Sequence, residues 1–173
     1  LAIITVVTPK GETLSTKVDA LGNWSVTPST PLDPVSQNIS VTQTDVAGNT
    51  ATTAVPVVID ASAPTPLTAD VNATSDSGNT TDNVTNDTTP TISGSGEPLA
   101  TITVVTPKGE TLSTIVDASG NWSVTPLSPL DAVSQNLAVT ETDVAGNTAT
   151  AQVPVVIDTT APTPLIADVN PTS

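Results

Sequence analysis

A long internal repeat is the feature of this chain that most constrains its fold. Residues 1–75 align without a gap on residues 99–173, and 60 of the 75 paired positions are identical. The repeat period is 98 residues, about the length of one small domain, so the chain is expected to belong to an array of domains. Arrays of this kind favour a structural or binding role over an enzymatic one.

The positions that differ between the two copies indicate which strand face is exposed. Lys17 of the first copy corresponds to Ile115 of the second. In the stretch 111–116, Leu112 and Val116 would share one face of a strand and Ile115 would lie on the other. A lysine in place of isoleucine indicates that the face of Ile115 is the outer one.

The composition restricts the partners and the chemistry. The chain has 3 basic residues, no histidine and 17 acidic residues, which gives a formal net charge of −14. Such a chain repels nucleic acid and anionic membrane surfaces, and its natural small partner is a cation. No apolar run reaches the roughly 18 residues of a membrane span, so no membrane insertion is expected. Because cysteine and histidine are absent, thiolate zinc sites, cysteine nucleophiles and a Ser-His-Asp triad are excluded, and we expect no catalytic residues and no enzyme.

Alternating apolar residues, separated by turn signals, divide the repeat into short strands. Thr and Val are abundant, which favours strands, and we expect Trp122 in the core because it alternates with polar residues. The predicted fold is all-β, with tandem immunoglobulin-like antiparallel β-sandwich domains. Seven strands are predicted in the second repeat, at 66–72, 89–95, 100–106, 111–117, 122–126, 137–142 and 148–157.

The domain boundaries do not coincide with the ends of the chain. Residues 1–60 are predicted to form a partial domain that carries the last five strands and lacks the first two. Residues 61–158 form a complete domain in this scheme, and residues 159–173 form the first strand of a following repeat. A partial domain exposes sheet edges and half of a core. We expect its missing part either in a longer molecule or from a neighbouring chain.

The order of the motifs resembles a known family. The chain is similar to the bacterial Ig-like repeats of giant RTX-type surface adhesins, which are exported by type I secretion and are often called biofilm-associated proteins. The resemblance covers essentially the whole chain and implies Ca²⁺ at or near domain junctions. It also implies an extender role between a cell anchor and an adhesive tip, and therefore an extracellular place on a bacterial surface. The segments that carry it are TNDTTPTISGSGEPLATITV, GNWSVTP, TDVAGNTAT and VVIDTTAPT.

The predicted strand order brings acidic turns to one end of the sandwich. If successive strands alternate in direction, the turns that carry Glu97, Asp117 and Asp143 all lie where the preceding domain enters. Asp60, at the end of the preceding domain's last strand, would reach the same end through the short linker 61–64. Ca²⁺ takes six to eight oxygen ligands, so this convergence predicts a junction site. The candidate ligands at such ends, counting the equivalents in the first copy and at the next junction, are Asp45, Asp60, Glu97, Asp117, Asp143, Asn147 and Asp158.

A second candidate Ca²⁺ site lies in the long segment 72–83. Asp70, Asp76 and Asp82 lie in or beside this segment, among Asn, Ser and Thr residues. Its order differs from that of an EF-hand loop, but a long loop rich in oxygen ligands needs something to order it. The alternatives remain open: a solvated loop for this segment, and simple turn capping for Asp117.

Three functions follow from these patterns. The first is a Ca²⁺-stabilised extender repeat of a bacterial cell-surface adhesin, with a role in adhesion and biofilm formation. The second is a glycan- or protein-binding Ig-like module, and the third is a subunit of an extracellular matrix filament joined by strand exchange. The expected partners are neighbouring repeats of the same chain, with any surface or glycan ligand bound through other regions.

Overall fold

The computed structural model describes residues 1–164 and divides the chain into two compact units, Leu1–Ser62 and the part from Ala63 onward. All regular structure in the described residues is β-strand, which confirms the predicted all-β class. No helix in this part of the chain is long and apolar enough to cross a membrane. Most of the strand predicted over 159–173 lies outside the described residues.

The first unit is a single antiparallel sheet. Its strands are β1 (Ile3–Val7), β2 (Thr13–Lys17), β3 (Ser36–Thr44) and β4 (Thr50–Val58), in the order β2-β1-β3-β4. The strand predicted around Trp24 does not form, so the prediction of five strands was wrong by one. The reason is that the equivalent strand of the second unit pairs with a strand of the opposite sheet, and the first unit has no counterpart of that sheet.

The second unit is a sandwich of two sheets. Strands β10-β7-β5 form a three-stranded sheet, and β6-β12-β11-β8-β9 form a five-stranded sheet. All pairs are antiparallel except β6 with β12, which is parallel. The strands are β5 (Asp70–Val71), β6 (Val84–Thr85), β7 (Ile92–Ser95), β8 (Thr101–Val105), β9 (Thr111–Ile115), β10 (Asn121–Val124), β11 (Ser134–Thr142) and β12 (Thr148–Ile157).

All seven predicted strands of the second unit exist, but several of their bounds differ, and β7 begins at Ile92, three residues after its predicted start. Strand β5 keeps only two residues of the predicted 66–72, although the N–H of Thr68 still donates to the carbonyl of Ser95 at 2.9 Å. Strand β11 begins at Ser134, three residues before the predicted start. The two-residue strand β6 was not predicted, since a pairing of that length leaves no periodic pattern in the sequence.

The core of the second unit lies between its two sheets. Trp122 and Ile92 project from the smaller sheet, and alternating residues of β8, β11 and β12 project from the larger one. Trp122 is only 4% exposed, and its Nε1 donates a hydrogen bond to the carbonyl of Ser95 at 3.2 Å. This confirms its predicted core position. Ile115 is 64% exposed, which confirms that its face is the outer one.

The core of the first unit is open on one side. Only Ile4, Val6 and Val41 are buried hydrophobic residues there. Trp24, which stands in the same motif as Trp122, is 42% exposed. The residues that cover this face in the second unit come largely from residues 63–98, and the first unit has no equivalent segment.

A polypeptide of residues 1–62 alone is expected not to fold stably. Burial of three hydrophobic side chains contributes about 1.5–3 kcal/mol each. Ordering the backbone costs about 1–2 kcal/mol per residue, so this small core falls far short. The amide spectrum of the isolated, monomeric fragment should therefore be poorly dispersed. Sharp, dispersed resonances from it would contradict the prediction.

Candidate metal centres of the complete domain

The turn between β11 and β12 is organised by one carboxylate. Asp143 Oδ1 accepts a hydrogen bond from the backbone N–H of Asn147 at 2.8 Å, and Oδ2 accepts one from Asn147 Nδ2 at 2.9 Å. The side-chain bond from Asn147, followed by backbone bonds in the turn, lowers the pKa of Asp143 below its ordinary value. Asp143 is therefore a buried but ionised carboxylate, with 7% of its surface exposed. Asp45 makes the same two bonds with Asn49 in the first unit, at 2.8 and 2.7 Å.

A second carboxylate lies two residues earlier, inside the sandwich. Glu141 follows Leu137 and Val139 on the inward face of β11 and is fully buried. Its Oε1 accepts a hydrogen bond from the backbone N–H of Glu97 at 2.6 Å, whereas Oε2 has no partner among the described residues. A Cβ placed on Gly96 would lie 2.5 Å from Oε1, so a larger residue at that position would displace the carboxylate from its present place.

The environment of Glu141 opposes its ionisation. Burial raises the pKa of Glu141, and the neighbouring charges of Glu97 and Asp143 raise it further, against the lowering effect of the N–H of Glu97. Glu141 is not among the candidate ligands predicted from the sequence. The alternation along β11 could have identified it, because Leu137, Val139 and Glu141 occupy every second position.

Three acidic turns meet at this end of the domain, as the strand order predicted. The N–H of Gly96 bonds the carbonyl of Gly120 at 2.9 Å, which joins the β7–β8 turn to the β9–β10 turn. The contact of Glu97 with Glu141 joins the first of these to β11. Asp117 caps its own turn by accepting bonds from the N–H groups of Ser119 and Asn121 at 2.8 and 2.9 Å.

No basic side chain of the second unit is available to these carboxylates. Lys108 is the only basic residue after position 62, and it pairs with Asp131 at 2.7 Å while donating to the carbonyl of Pro129. Lys10 and Asp33 form the same pair in the first unit. Asp33 and Asp131 are thus each the exposed partner of a lysine.

Asp60 and Asp158 lie at the ends of the last strands of their units. Asp60 Oδ1 accepts a bond from the N–H of Ser62, and Asp158 Oδ1 accepts one from the N–H of Thr160, both at 2.9 Å. Each carboxylate thus begins a turn at the start of a linker. That either one joins a metal ion shared with a neighbouring domain stays a prediction.

The long segment between β5 and β7 surrounds another buried carboxylate. Asp76 is 2% exposed, and its Oδ2 accepts a bond from the N–H of Asn83 at 3.2 Å. Asn83 Nδ2 in turn donates to Asp70 Oδ1 at 2.8 Å, and Asp82 Oδ1 accepts from the N–H of Val84 at 3.1 Å. Within residues 1–164, no three acidic side chains are grouped closely enough to share a metal ion. Any ion at either end must therefore draw much of its coordination from neutral oxygens.

Several solved structures are similar to this chain. A Ca²⁺-stabilized adhesin with which an Antarctic bacterium binds ice is 29% identical, with a TM-score of 0.43, over 91% of this chain and 40% of the other. A 1.5-MDa bacterial ice-binding adhesin is 28% identical, with a TM-score of 0.46, over 91% and 53%. A tetra-tandem repeat from the extending region of a large adhesion protein is 25% identical, with a TM-score of 0.40, over 91% and 41%. The chain thus spans about half or less of the length of each.

Family membership rests on a different comparison. The comparison with curated proteins finds no match. The model of the family described as bacterial Ig-like domain matches residues 2–61 and again residues 62–159. The two matches follow the internal repeat and together cover most of the 173 residues. The chain therefore belongs to the family of bacterial Ig-like domains.

Proposed function

We propose that this chain is a spacer segment of a bacterial cell-surface adhesin, located outside the cell, whose complete domain is stabilised by Ca²⁺. The observation that carries the proposal is Glu141, a fully buried carboxylate with one oxygen unpartnered, beside the ionised Asp143. A buried carboxylate without an opposite charge beside it is strongly unfavourable in its ionised form, and a bound cation would balance the charges of Glu141 and Asp143. The only basic residue of this unit is already paired elsewhere.

The residues at this end suit Ca²⁺ better than other metals. All available ligands are oxygen atoms, which hard cations such as Ca²⁺ prefer. Asn147 holds the carboxylate of Asp143, the N–H of Glu97 orients the carboxylate of Glu141, and Gly96 leaves space beside it. These contacts hold the ligands in place before an ion arrives. A bound Ca²⁺ would supply the positive charge that the protein itself lacks there.

The repetition of one domain along the chain supports the spacer role. Two consecutive units match one domain family, and neighbouring repeats are the natural partners of each unit. An ion that ties three turns together would stiffen the end of the domain at which its chain enters. We further propose that low calcium inside the cell leaves the domain loosely folded and fit for secretion, and that calcium outside completes its folding.

The alternative of a glycan- or protein-binding module gains no support from the tryptophan of the complete domain. An exposed tryptophan would favour that alternative, whereas Trp122 is buried with its Nε1 bonded to Ser95. The alternative of a filament joined by strand exchange keeps one supporting observation. The open face of the first unit leaves Trp24 partly exposed and could accept strands from another segment.

The variant Glu141→Gln tests the proposed ion, because glutamine is the natural residue at the equivalent position 43. In chelator, the variant removes an unpaired buried charge and should stabilise the complete domain, by about 1–3 kcal/mol. In saturating Ca²⁺ it removes a ligand and should destabilise the domain relative to wild type. Thermal melts under both conditions, followed by circular dichroism, measure the two differences.

The control for this test is Asp131→Asn, which makes the same change of charge at an exposed ion pair. An exposed pair contributes about 0–1 kcal/mol, so this variant should change the two melts equally and slightly. A Glu141→Gln difference of the same sign in chelator and in Ca²⁺ would refute the site.

In chelator, the destabilisation of the wild-type domain relative to Glu141→Gln should shrink as the pH falls through the raised pKa of Glu141, because protonation removes the buried charge.

A further inference from the structure

We propose that the open face of the first unit is a docking surface for a polypeptide segment that another chain supplies and that has the sequence of residues 63–98. The open face is the side of the sheet β2-β1-β3-β4 on which Ile4, Val6 and Val41 lie. We call residues 63–98 the covering segment, because they supply two of the three strands that cover the equivalent sheet in the second unit. The inference concerns protein assembly and does not depend on the proposed Ca²⁺ site.

The open face exposes side chains that the second unit buries. Trp24 is 42% exposed and Val55 is 41% exposed, whereas Trp122 and Val153 at the equivalent positions are 4% and 0% exposed. Trp24 and Val55 lie along one apolar groove with Val41. A contiguous apolar surface of this kind marks an interaction site.

The second unit shows how the covering segment occupies such a face. Its strand β7 pairs with β10, which places Ile92 beside Val124 and Ser95 beside Asn121. Val71 and Ile92 belong to the same buried cluster as residues of β8, β11 and β12. The same molecule thus contains both the open face and the segment that fills its counterpart.

The partners that the covering segment contacts in the second unit recur at the equivalent positions of the first. Trp122 Nε1 donates to the carbonyl of Ser95, and the first unit has Trp24 at the position of Trp122. The further partners are Gly120, Thr125, Leu130 and Val156, and their identical counterparts are Gly22, Thr27, Leu32 and Val58. Because the residue types are the same, the first unit offers the segment the same kinds of hydrogen bond.

The partner of Glu97 differs between the units, and the difference favours docking. In the second unit, Glu141 Oε1 accepts a hydrogen bond from the N–H of Glu97 at 2.6 Å. Gln43 has the equivalent position in the first unit, and a glutamine side-chain oxygen accepts the same kind of bond without a charge. Burial of Gln43 beneath the segment would therefore need no counter-ion.

The charges of the two components indicate that docking is apolar rather than electrostatic. Residues 1–62 contain five acidic and two basic residues, and residues 63–98 contain five acidic residues and no basic one. Both carry a net negative charge, so they repel each other at long range. Attraction therefore comes from the burial of apolar side chains, which include Val71 and Ile92 of the segment. Salt should strengthen the binding, since it screens the repulsion.

Hydrogen exchange of the full chain tests the inference, with a synthetic peptide of residues 63–98 as the probe. At saturating peptide, exchange of the backbone amides in residues 36–58 should slow by about 10-fold or more, because docking completes the sandwich. The equivalent residues 134–156 are already covered and should not respond. The affinity for the peptide should rise when NaCl is raised from about 0.05 to about 0.5 M.

Three variants locate the contact. Val41→Asp places a charge on the open face and should abolish the slowing, whereas Val7→Asp changes the opposite side of the same sheet and should keep it. Ile92→Asp in the peptide should also abolish the slowing, because Ile92 is fully buried in the second unit. The peptide variant leaves the chain unaltered, so it tests the contact even if Val41→Asp does not fold.

Three results would overturn the proposal. The first is exchange in residues 36–58 that does not respond to the peptide, and the second is an equal response to the Ile92→Asp peptide. The third is slowing that rises with the concentration of the full chain in the absence of peptide, which would assign the open face to a second copy of this chain.

Discussion

Replacement of Trp122 by alanine is expected to lower the free energy of unfolding of the complete domain by about 3–5 kcal/mol. The indole is the only aromatic side chain of that domain and is 4% exposed between the two sheets. Its removal would leave a cavity among close-packed aliphatic side chains and would free the carbonyl of Ser95 from its bond to Nε1. Chemical denaturation followed by circular dichroism measures the effect without relying on the lost fluorophore.

The chain supplies its own matched control in Trp24→Ala. Trp24 occupies the same GNWSVTP motif but is 42% exposed in the open first unit. Because less of its surface is buried, its truncation should change the free energy of unfolding of the first unit by less than about 1 kcal/mol. Similar losses from the two variants would show that the motif, and not its burial, determines the contribution of the tryptophan.

Removal of calcium is expected to lower the melting temperature of the complete domain strongly. At 100 times its dissociation constant, an ion adds about 2.7 kcal/mol per site. For a domain of roughly 100 residues this corresponds to about 10–20 °C per site, because each kcal/mol shifts the midpoint by about 4–8 °C. Calorimetry of the full chain in Ca²⁺ and in chelator measures the difference.

The specific binding of Ca²⁺ must be separated from general salt screening, because the chain has a net charge of −14 and its negative charges repel one another. Sodium chloride at matched ionic strength relieves general repulsion and serves as the first control. The second control is the double variant Glu141→Gln, Asp76→Asn. It removes both buried carboxylates and should lose most of the calcium effect. An unchanged melting temperature on chelation would argue against any stabilising ion.

Features that depend on short stretches of chain could be predicted from the sequence. The hydrogen bond that the N–H of Asn147 donates to Asp143 has an equivalent from Asn49 to Asp45, although the first unit lacks a second sheet. Strands β8, β9, β11 and β12 also recur as β1 to β4. Their hydrogen bonds and alternating faces lie within hairpins and neighbouring strands, so a local pattern suffices to indicate them.

Features that depend on distant segments needed the tertiary structure. The segment around Trp122 forms β10 because β7 lies beside it, and the identical segment around Trp24 forms no strand. The pairing of β6 with β12 joins residues about 70 positions apart and leaves no periodic trace.

The repeat, the sandwich class and the acidic turns could thus be predicted from the sequence alone: the repeat from the alignment of residues 1–75 on residues 99–173, and the other two from short-range spacing. The alternation along β11 indicates that Glu141 faces inward, but only the tertiary structure decided that one of its oxygens has no partner among the described residues. The burial of Asp76 was likewise decided only by the tertiary structure, because a folded segment excludes water from it and no periodic pattern marks it. Desolvation depends on all the groups that surround a side chain, including those from distant segments.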